Sequence, residues 1–203
     1  MTAAEYLPAR ATLPALRRAA ASCHGCPLYR GATQTVFGEG PARARVMLVG
    51  EEPGDREDLA GHPFVGPAGK LLDEALAHAK IARADVYLTN AVKHFKFEKR
   101  GKRRIHQKPT VSELKACKPW LSAELAAVKP EVLVVLGASA AYSILGPRVK
   151  VTQVRGQRLS SELAAAVFAT VHPAAVLRAD DRAAARAALF ADLDAVGAYL
   201  RRT

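Results

Sequence analysis

Four short apolar runs, separated by segments with helical spacing, limit the fold of this chain more than any other feature. They are RVMLVGE (45–51), DVYLTNAV (85–92), EVLVVLG (131–137) and AAVFATVH (165–172). Continuous apolar runs are typical of strands buried on both faces, and their alternation with helices indicates a parallel sheet. We therefore predict an α/β fold, a three-layer α/β/α sandwich with a central, mainly parallel four-stranded sheet.

The charge balance indicates the kind of partner. The 203 residues contain no clear linker or repeat, so we expect one domain, 1–203. We also expect a monomer. A formal net charge of +11 favours a polyanion such as nucleic acid. A membrane surface is a weaker alternative, because there is no run of about 18 apolar residues. The first residues lack a signal-peptide pattern, so we expect a cytoplasmic location.

Polar residues close three of the predicted strands. They are Glu51, Asn90 and His172, and ligands of parallel sheets bind at the carboxyl ends of strands. Glu51 begins a Gly-rich turn that is either structural or catalytic, and the turn lacks the Gly-Lys-Ser/Thr ending of a P-loop. Asn90 is either a cap or an amide that recognises a base edge, and His172 is either a core histidine or a functional one. Phe64, in the loop after Glu51, is either core or a stacking surface for a nucleobase.

The three cysteines suggest a metal site. Cys23 and Cys26 form a Cys-x-x-Cys pair, and Cys117 is the only other cysteine. An odd number without a secretion signal argues against a disulfide framework. A fourth protein ligand must then be another residue type, and both iron–sulfur clusters and zinc accept histidine. The alternative is three free thiols.

A basic segment, KHFKFEKRGKRRIHQKPT (93–110), precedes the third predicted helix of the chain. It carries seven Lys or Arg and one acid between Lys96 and Lys108. Thr110 and Glu113 form a capping box, which predicts that a helix begins there. On composition alone the segment is a solvated loop that grips phosphates, and its single histidine, His106, stays unexplained.

Six ordered motifs and the basic segment resemble the family 4 uracil-DNA glycosylases. The motifs are GEEPGDREDLAGHPFVGPAGKLLDEAL, YLTNAVKHF, ACKPWL, VVLGASAA, VTQVRGQ and VHPAAVLR, and they cover nearly the whole chain. KRRIH within the basic segment is similar to the loop that marks the UdgX branch of that family. The resemblance implies a uracil-DNA glycosylase fold and excision of uracil from DNA, preferably single-stranded.

The same resemblance implies a role for individual positions. Phe64 would stack on the flipped uracil, Asn90 would read its polar edge, and His172 would bond the O2 side as negative charge develops there. Glu57 would crowd the C5 position and exclude thymine. The remaining implied substrate-binding and DNA-binding residues are Glu52, Asp55, Lys102, Arg103, Arg104 and Arg178.

For the metal site, the resemblance implies a 4Fe-4S cluster. Its ligands would be Cys23, Cys26, His94 and Cys117, with a histidine where most of the family has a cysteine. Zinc is the less favoured alternative, because the spacing itself does not separate the two metals.

The UdgX resemblance gives His106 a chemical role. A neutral imidazole is a nucleophile, and His106 would attack C1′ of the abasic sugar and stay bonded to it. We expect Glu51 to accept from the other ring N–H, and the nearby cations to keep the ring neutral. The alternatives are a conventional glycosylase that turns over and a non-catalytic iron–sulfur protein that binds DNA. Glu52 departs from the pattern, because UdgX has Gln there and most of the family has Gly.

Overall fold

A computed structural model describes residues 1–203, and its elements alternate as the apolar runs predict. The strands are β1 (Val46–Gly50), β2 (Val86–Asn90), β3 (Phe97–Arg100), β4 (Arg103–His106), β5 (Val132–Leu136), β6 (Arg158–Leu159) and β7 (Ala166–Thr170). The helices are α1 (Leu13–Ala20), α2 (Asp55–Ala60), α3 (Pro67–His78), α4 (Val111–Val128), α5 (Ala138–Leu145), α6 (Val151–Val154), α7 (Pro173–Leu177) and α8 (Arg182–Leu200). Short 3₁₀ helices span Ala3–Tyr6, Pro27–Arg30 and Arg83–Asp85.

The central sheet has the strand order β2-β1-β5-β7-β6. The first four strands are mutually parallel and are the four that the sequence predicts. The two-residue strand β6 joins the edge antiparallel to β7, so the sheet has five strands rather than four. The prediction of an α/β/α sandwich with a mainly parallel sheet is confirmed.

Alternate residues of each buried strand face opposite layers. In β1, Met47 and Val49 belong to one apolar cluster, together with residues of α1, α4 and α5. Val46 and Leu48 belong to the second cluster, which includes residues of α3 and α8. Every residue of β1 is buried, as expected for a strand covered on both faces. The sheet is therefore packed against helices on both faces.

Two local predictions need correction. The basic segment is an antiparallel hairpin rather than a loop, with Phe97 opposite His106 and Gly101 in the left-handed region at φ 59°. Residues 151–159 have the sequence VTQVRGQRL, which resembles a hairpin, but they form the helical turn α6 and then β6. The sequence of the basic segment lacks the alternation of apolar and polar residues typical of a strand. This is because both faces of the hairpin lie largely outside the core.

The helix after the hairpin begins where the sequence predicts. The Thr110 backbone N–H donates to Glu113 Oε2 (2.7 Å), and the Glu113 N–H donates to Thr110 Oγ1 (3.3 Å). This capping box fixes the exit of the hairpin from β4 into α4. No helix in the structure combines the length and apolar character that a membrane crossing requires.

Candidate active site

The carboxyl ends of β1, β2 and β7 meet around Gly50. A methyl group built on Gly50 would clash with Asn90 Oδ1, would lie 2.7 Å from Phe64 Cζ and 3.4 Å from His172 Nε2. The absence of a side chain at residue 50 is therefore what lets these three groups converge. The three predicted base-binding residues share one small space.

Phe64 is held by a backbone that few residues adopt. Its φ is 58°, a left-handed conformation that is uncommon outside glycine. A side chain at Gly69 in α3 would clash with the Phe64 carbonyl, so this glycine allows the helix to pack directly against that turn. The Phe64 ring lies 6.0 Å from the His172 ring, with an angle of 26° between the planes. The ring therefore presents a flat wall to the space above Gly50.

Glu57 closes the same space from α2. Its Oε1 accepts a hydrogen bond from the Gly66 N–H at 2.8 Å, and the residue is buried. That bond ties α2 to the start of α3 and fixes the carboxylate. Glu57, Phe64, Asn90 and His172 line a cavity of about 90 Å³.

A larger cavity adjoins the small one. It has a volume of about 470 Å³ and is lined by His106, Lys108, Arg178 and Glu51, among others. Glu52 and His172 line both cavities. The small cavity is lined by the Phe64 ring together with polar side chains, and the larger one by the basic residues Lys108 and Arg178 among others.

His172 is fixed in one tautomer. Its Nδ1 accepts a hydrogen bond from the Ala174 N–H at 3.2 Å, as the N-cap of α7. The proton of a neutral ring must then sit on Nε2, the nitrogen that faces the cavity. Burial, followed by the charge of Arg178, lowers the pKa of His172 to about 4. A neutral ring with an N–H donor that faces the cavity can stabilise negative charge that develops on a group bound there.

The depressed pKa of His172 predicts a pH-dependent stability. The unfolded chain binds this proton near the ordinary pKa of about 6.5, and the folded protein only near 4. The free energy of unfolding therefore falls as pH falls from about 6.5 to 4, and His172 contributes roughly 1 kcal/mol per pH unit to this loss. Urea denaturation of the wild type and of His172→Asn at pH 7 and pH 5 measures it. Equal losses in both proteins would contradict the assignment.

His106 faces two carboxylates at the end of β4. Its Nε2 lies 3.0 Å from Glu52 Oε1 and 3.5 Å from Glu51 Oε1. Glu51 also accepts a short hydrogen bond from the Ser139 hydroxyl, in the first turn of α5. The sequence predicted Glu51 as the partner of His106. The structure places Glu52 nearer, and it adds Ser139, which sequence reasoning missed although it lies two residues after the glycine that ends β5's apolar run.

The expected electrostatics of His106 are wrong. The sequence predicts that cations favour the neutral ring, but the pKa of His106 is raised, chiefly by the close contact of its Nε2 with Glu52 and further by the charges of both carboxylates. Arg178 is the cation that opposes this rise. The carboxylates dominate because they are in direct contact with the ring.

Arg104 is occupied within the protein. Its guanidinium pairs with Asp55 Oδ1 (2.5 Å) and Asp58 Oδ2 (2.6 Å), and it lies over the rings of Phe95 and Phe97. Two predictions change as a result. Arg104 is a clamp between the hairpin and α2 rather than a free grip for phosphates, and Asp55 lines neither cavity of the site.

Replacing Arg104 with alanine is expected to destabilise the protein by about 2 kcal/mol, because Asp58 is fully buried and would lose a charged hydrogen-bond partner. The hairpin that carries His106 would also lose its attachment to α2. Urea denaturation gives the energy. Arg103→Ala is the matched control, since Arg103 is exposed and should change stability by less than about 0.5 kcal/mol. Equal effects would contradict the clamp.

The other basic residues predicted for DNA are accessible. Lys102 and Arg103 are exposed at the turn of the hairpin, and Arg178 follows α7 and lines the larger cavity.

The predicted metal ligands lie near one another without forming a closed group. Cys23 and Cys117 are buried and Cys26 is half-buried, all as free thiols. Burial raises the pKa of the Cys117 thiol to about 12, and the nearby Cys26 and Cys23 raise that pKa further. The Trp120 indole N–H donates to Cys23 Sγ at 3.2 Å. No three His, Cys, Asp or Glu side chains come close enough together to hold one metal ion.

His94 has the chemistry of a ligand. Its Nε2 lies 2.9 Å from Thr35 Oγ1, whose hydroxyl donates to the Ala20 carbonyl at 2.9 Å. The Thr35 oxygen must therefore accept from Nε2–H, which leaves the lone pair on Nδ1. Burial lowers the pKa of His94 to about 4, so the ring is neutral. A neutral histidine with its other N–H fixed by a hydroxyl is in the state that binds metals.

A buried ion pair lies beneath the site and was not predicted. The Lys93 ammonium pairs with Glu124 and donates to Thr89 Oγ1 (2.6 Å) and to the Asn90 carbonyl (2.7 Å). Glu124 also accepts from the Tyr87 hydroxyl (2.9 Å) and the Gly38 N–H (3.1 Å). The network joins the end of β2, which carries Asn90, to α4.

Comparisons with known proteins identify the family of this chain. A family model described as the uracil DNA glycosylase superfamily matches residues 37–194. The chain therefore belongs to the uracil-DNA glycosylase superfamily. Its similarity to type-4 uracil-DNA glycosylases assigns it to the type-4 family.

Three similar proteins carry the description type-4 uracil-DNA glycosylase. The one from Thermotoga maritima is 40% identical over 157 residues, which are 77% of this chain and 78% of that protein. The one from Pyrobaculum aerophilum is 38% identical over 164 residues, 77% of this chain and 80% of that protein. The one from Archaeoglobus fulgidus is 39% identical over 163 residues, 77% and 78% of the two chains.

Proposed function

We propose that this protein excises uracil from DNA and then becomes bonded through His106 to C1′ of the abasic sugar. One observation carries the proposal. His106 lines the cavity that adjoins the base-sized space, with one ring nitrogen against two carboxylates. A histidine so held beside the expected position of the sugar can act as a nucleophile as well as a binding group.

Recognition of uracil needs the base outside the helix stack. A base within a duplex is inaccessible, so it must be flipped out or supplied in a single strand. Phe64 would stack on the flipped base, Asn90 would bond its amide edge, and His172 Nε2–H would bond O2. Glu57 would narrow the space at C5, where thymine carries a methyl group. The common cavity of these residues supports these roles.

Cleavage moves charge in opposite directions on base and sugar. The electron pair of the C1′–N1 bond leaves with uracil as its anion, and the sugar becomes oxocarbenium-like. The neutral His172 donor would stabilise the anion. The lone pair of His106 would then form the N–C1′ bond, and the ring would become a cation beside Glu51 and Glu52. An N-alkylated imidazole has no ready leaving path, so the bond would persist.

DNA would approach over the hairpin. Lys102 and Arg103 would contact phosphates, and Arg178 would lie near the vacated stack. Such contacts fix the backbone without reading sequence. We further propose single-stranded uracil-DNA as the preferred partner and a monomer as the active form.

We also propose a 4Fe-4S cluster bound by Cys23, Cys26, Cys117 and His94 Nδ1. The neutral state of His94 supports this ligand set, and binding would require these side chains to close around the cluster. The cluster would supply structural cross-linking there, since it would join the N-terminal segment to α4 and to the loop after β2. An absorption shoulder in visible light, lost on acid treatment, is the expected signature. Colourless protein that contains zinc would contradict the cluster.

A denaturing gel tests the function. The protein is mixed with single-stranded DNA that contains one uracil, heated in detergent, and separated. We expect a band shifted by the mass of the protein, and no band with thymine in place of uracil. Abasic DNA without a shifted band would indicate a conventional glycosylase that turns over. Unaltered DNA would contradict the enzymatic proposal altogether.

A further inference from the structure

Glu52 is a buried carboxylate in an unusual position. Its side chain is completely inaccessible to solvent, and neither oxygen has a hydrogen bond of good geometry. The nearest polar groups are the His106 Nε2 at 3.0 Å and the backbone N–H of Lys96. Unpaired buried carboxylates are costly. This one is therefore coupled to the single titratable ring that it touches.

Glu51 is less available to His106 than its place at the strand end suggested. Its Oε1 is 3.5 Å from the ring, and its Oε2 is engaged by the Ser139 hydroxyl. The charged or titratable groups that surround His106 are Glu51 and Glu52 from the end of β1, Arg178 and His172 from α7 and its flanks, and Lys108 after β4. Among them, Glu52 makes the shortest contact with the ring.

We infer that Glu52, rather than Glu51, positions His106 for attack and compensates the positive charge that develops on the ring. Glu52 therefore sets the pH range in which the protein captures DNA. The inference rests on the proposed capture through His106. Glu52 acts through His106 and is therefore a positioning residue, not a catalytic one.

The chemistry follows the position of one proton. When the ring nitrogen that faces Glu52 carries a hydrogen, the N–H donates to the carboxylate and the other nitrogen keeps its lone pair. Attack forms the N–C1′ bond, uracil leaves with the electron pair of the old bond, and the ring keeps its proton next to Glu52. If the ring is already doubly protonated, it has no lone pair and no attack occurs.

The protonation equilibria of the pair support this dependence. Burial raises the pKa of Glu52 to about 7, partly opposed by the contact with His106. The pKa of His106 is raised in turn, first of all by Glu52. The two groups thus influence each other's protonation directly. Capture should rise with pH as the ring loses its second proton.

The test compares Glu52→Gln with Glu51→Gln. Glutamine keeps the shape of residue 52 and removes its charge. The rate of formation of the heat-stable band is measured between pH 5 and pH 9 under single-turnover conditions, and uracil release is followed separately. For Glu52→Gln we expect the rise to occur at lower pH and the plateau rate to fall about tenfold or more, because the ring loses its close contact with a negative charge. Glu51→Gln should shift the pH of the rise less.

An unchanged pH profile in Glu52→Gln, or a larger shift in Glu51→Gln, would overturn the inference. A second measurement is independent of capture. The pKa of His106 is read by NMR of its ring in free protein, and it should fall in Glu52→Gln. If the wild type forms no band, the proposed function fails, while the NMR result still decides whether Glu52 controls the ring. An unshifted His106 pKa in a folded variant would rule out that control.

Discussion

The His106→Ala variant is expected to form no heat-stable band with uracil-containing DNA while it still releases uracil. The small cavity is built mainly by residues of β2, α2, α7 and the turn that carries Phe64, and of its lining residues Glu52 contacts the imidazole. Cleavage should therefore proceed, and water should reach the sugar in place of the ring. A denaturing gel and an assay of abasic sites on the same sample measure both outcomes.

Lys102→Ala is the control for this variant. Lys102 belongs to the same hairpin, is exposed and has the same kind of basic surroundings, but it has no place in the proposed bond. The Lys102→Ala variant should retain the heat-stable band, and its binding to DNA should weaken as the salt concentration rises. A band that survives in His106→Ala would show that another residue is the attachment point.

The Glu124→Ala variant is expected to lose about 3–5 kcal/mol of unfolding free energy. Glu124 and Lys93 have side-chain exposures of 0% and 1%, so removal of the carboxylate leaves a buried ammonium without its counter-charge. Tyr87, Thr89 and the Gly38 N–H would lose their acceptor as well. The midpoint of urea denaturation, with the slope unchanged, gives the loss.

Glu74→Ala is the matched control for the buried pair. Glu74 pairs with Arg186 at 3.1 Å, but both side chains are more than half exposed. Exposed pairs contribute about 0–1 kcal/mol, so this variant should change little. Similar losses in the two variants would contradict the view that the buried network supports the end of β2.

The sheet was predictable because burial on both faces leaves a plain mark in the sequence. Runs such as EVLVVLG have no polar alternation, and all of the residues in β5 are buried. The polar strand ends Asn90 and His172 were predictable for the same reason, since a polar residue stands out at the end of such a run. Their convergence follows from parallel strand direction, and the structure brings them together above Gly50.

Other features depend on contacts between distant residues, which no local pattern records. The choice of Glu52 over Glu51 depends on how β4 folds back over the end of β1. In the sequence, Arg104 is indistinguishable from the other basic residues of the hairpin. Its pairing with Asp55 and Asp58 becomes visible only in the fold. The Lys93–Glu124 pair joins residues 31 positions apart. Its buried lysine follows an apolar strand and has no periodic signature.

Mass spectrometry of the covalent product tests the central claim most directly. The wild-type protein is reacted with single-stranded uracil-DNA, the product is digested with nuclease and protease, and the peptides are sequenced. We predict that a deoxyribose-phosphate remnant is attached to His106 and that free uracil is released in equal amount. A remnant on any other residue, or unmodified His106 alongside released abasic DNA, would contradict the account.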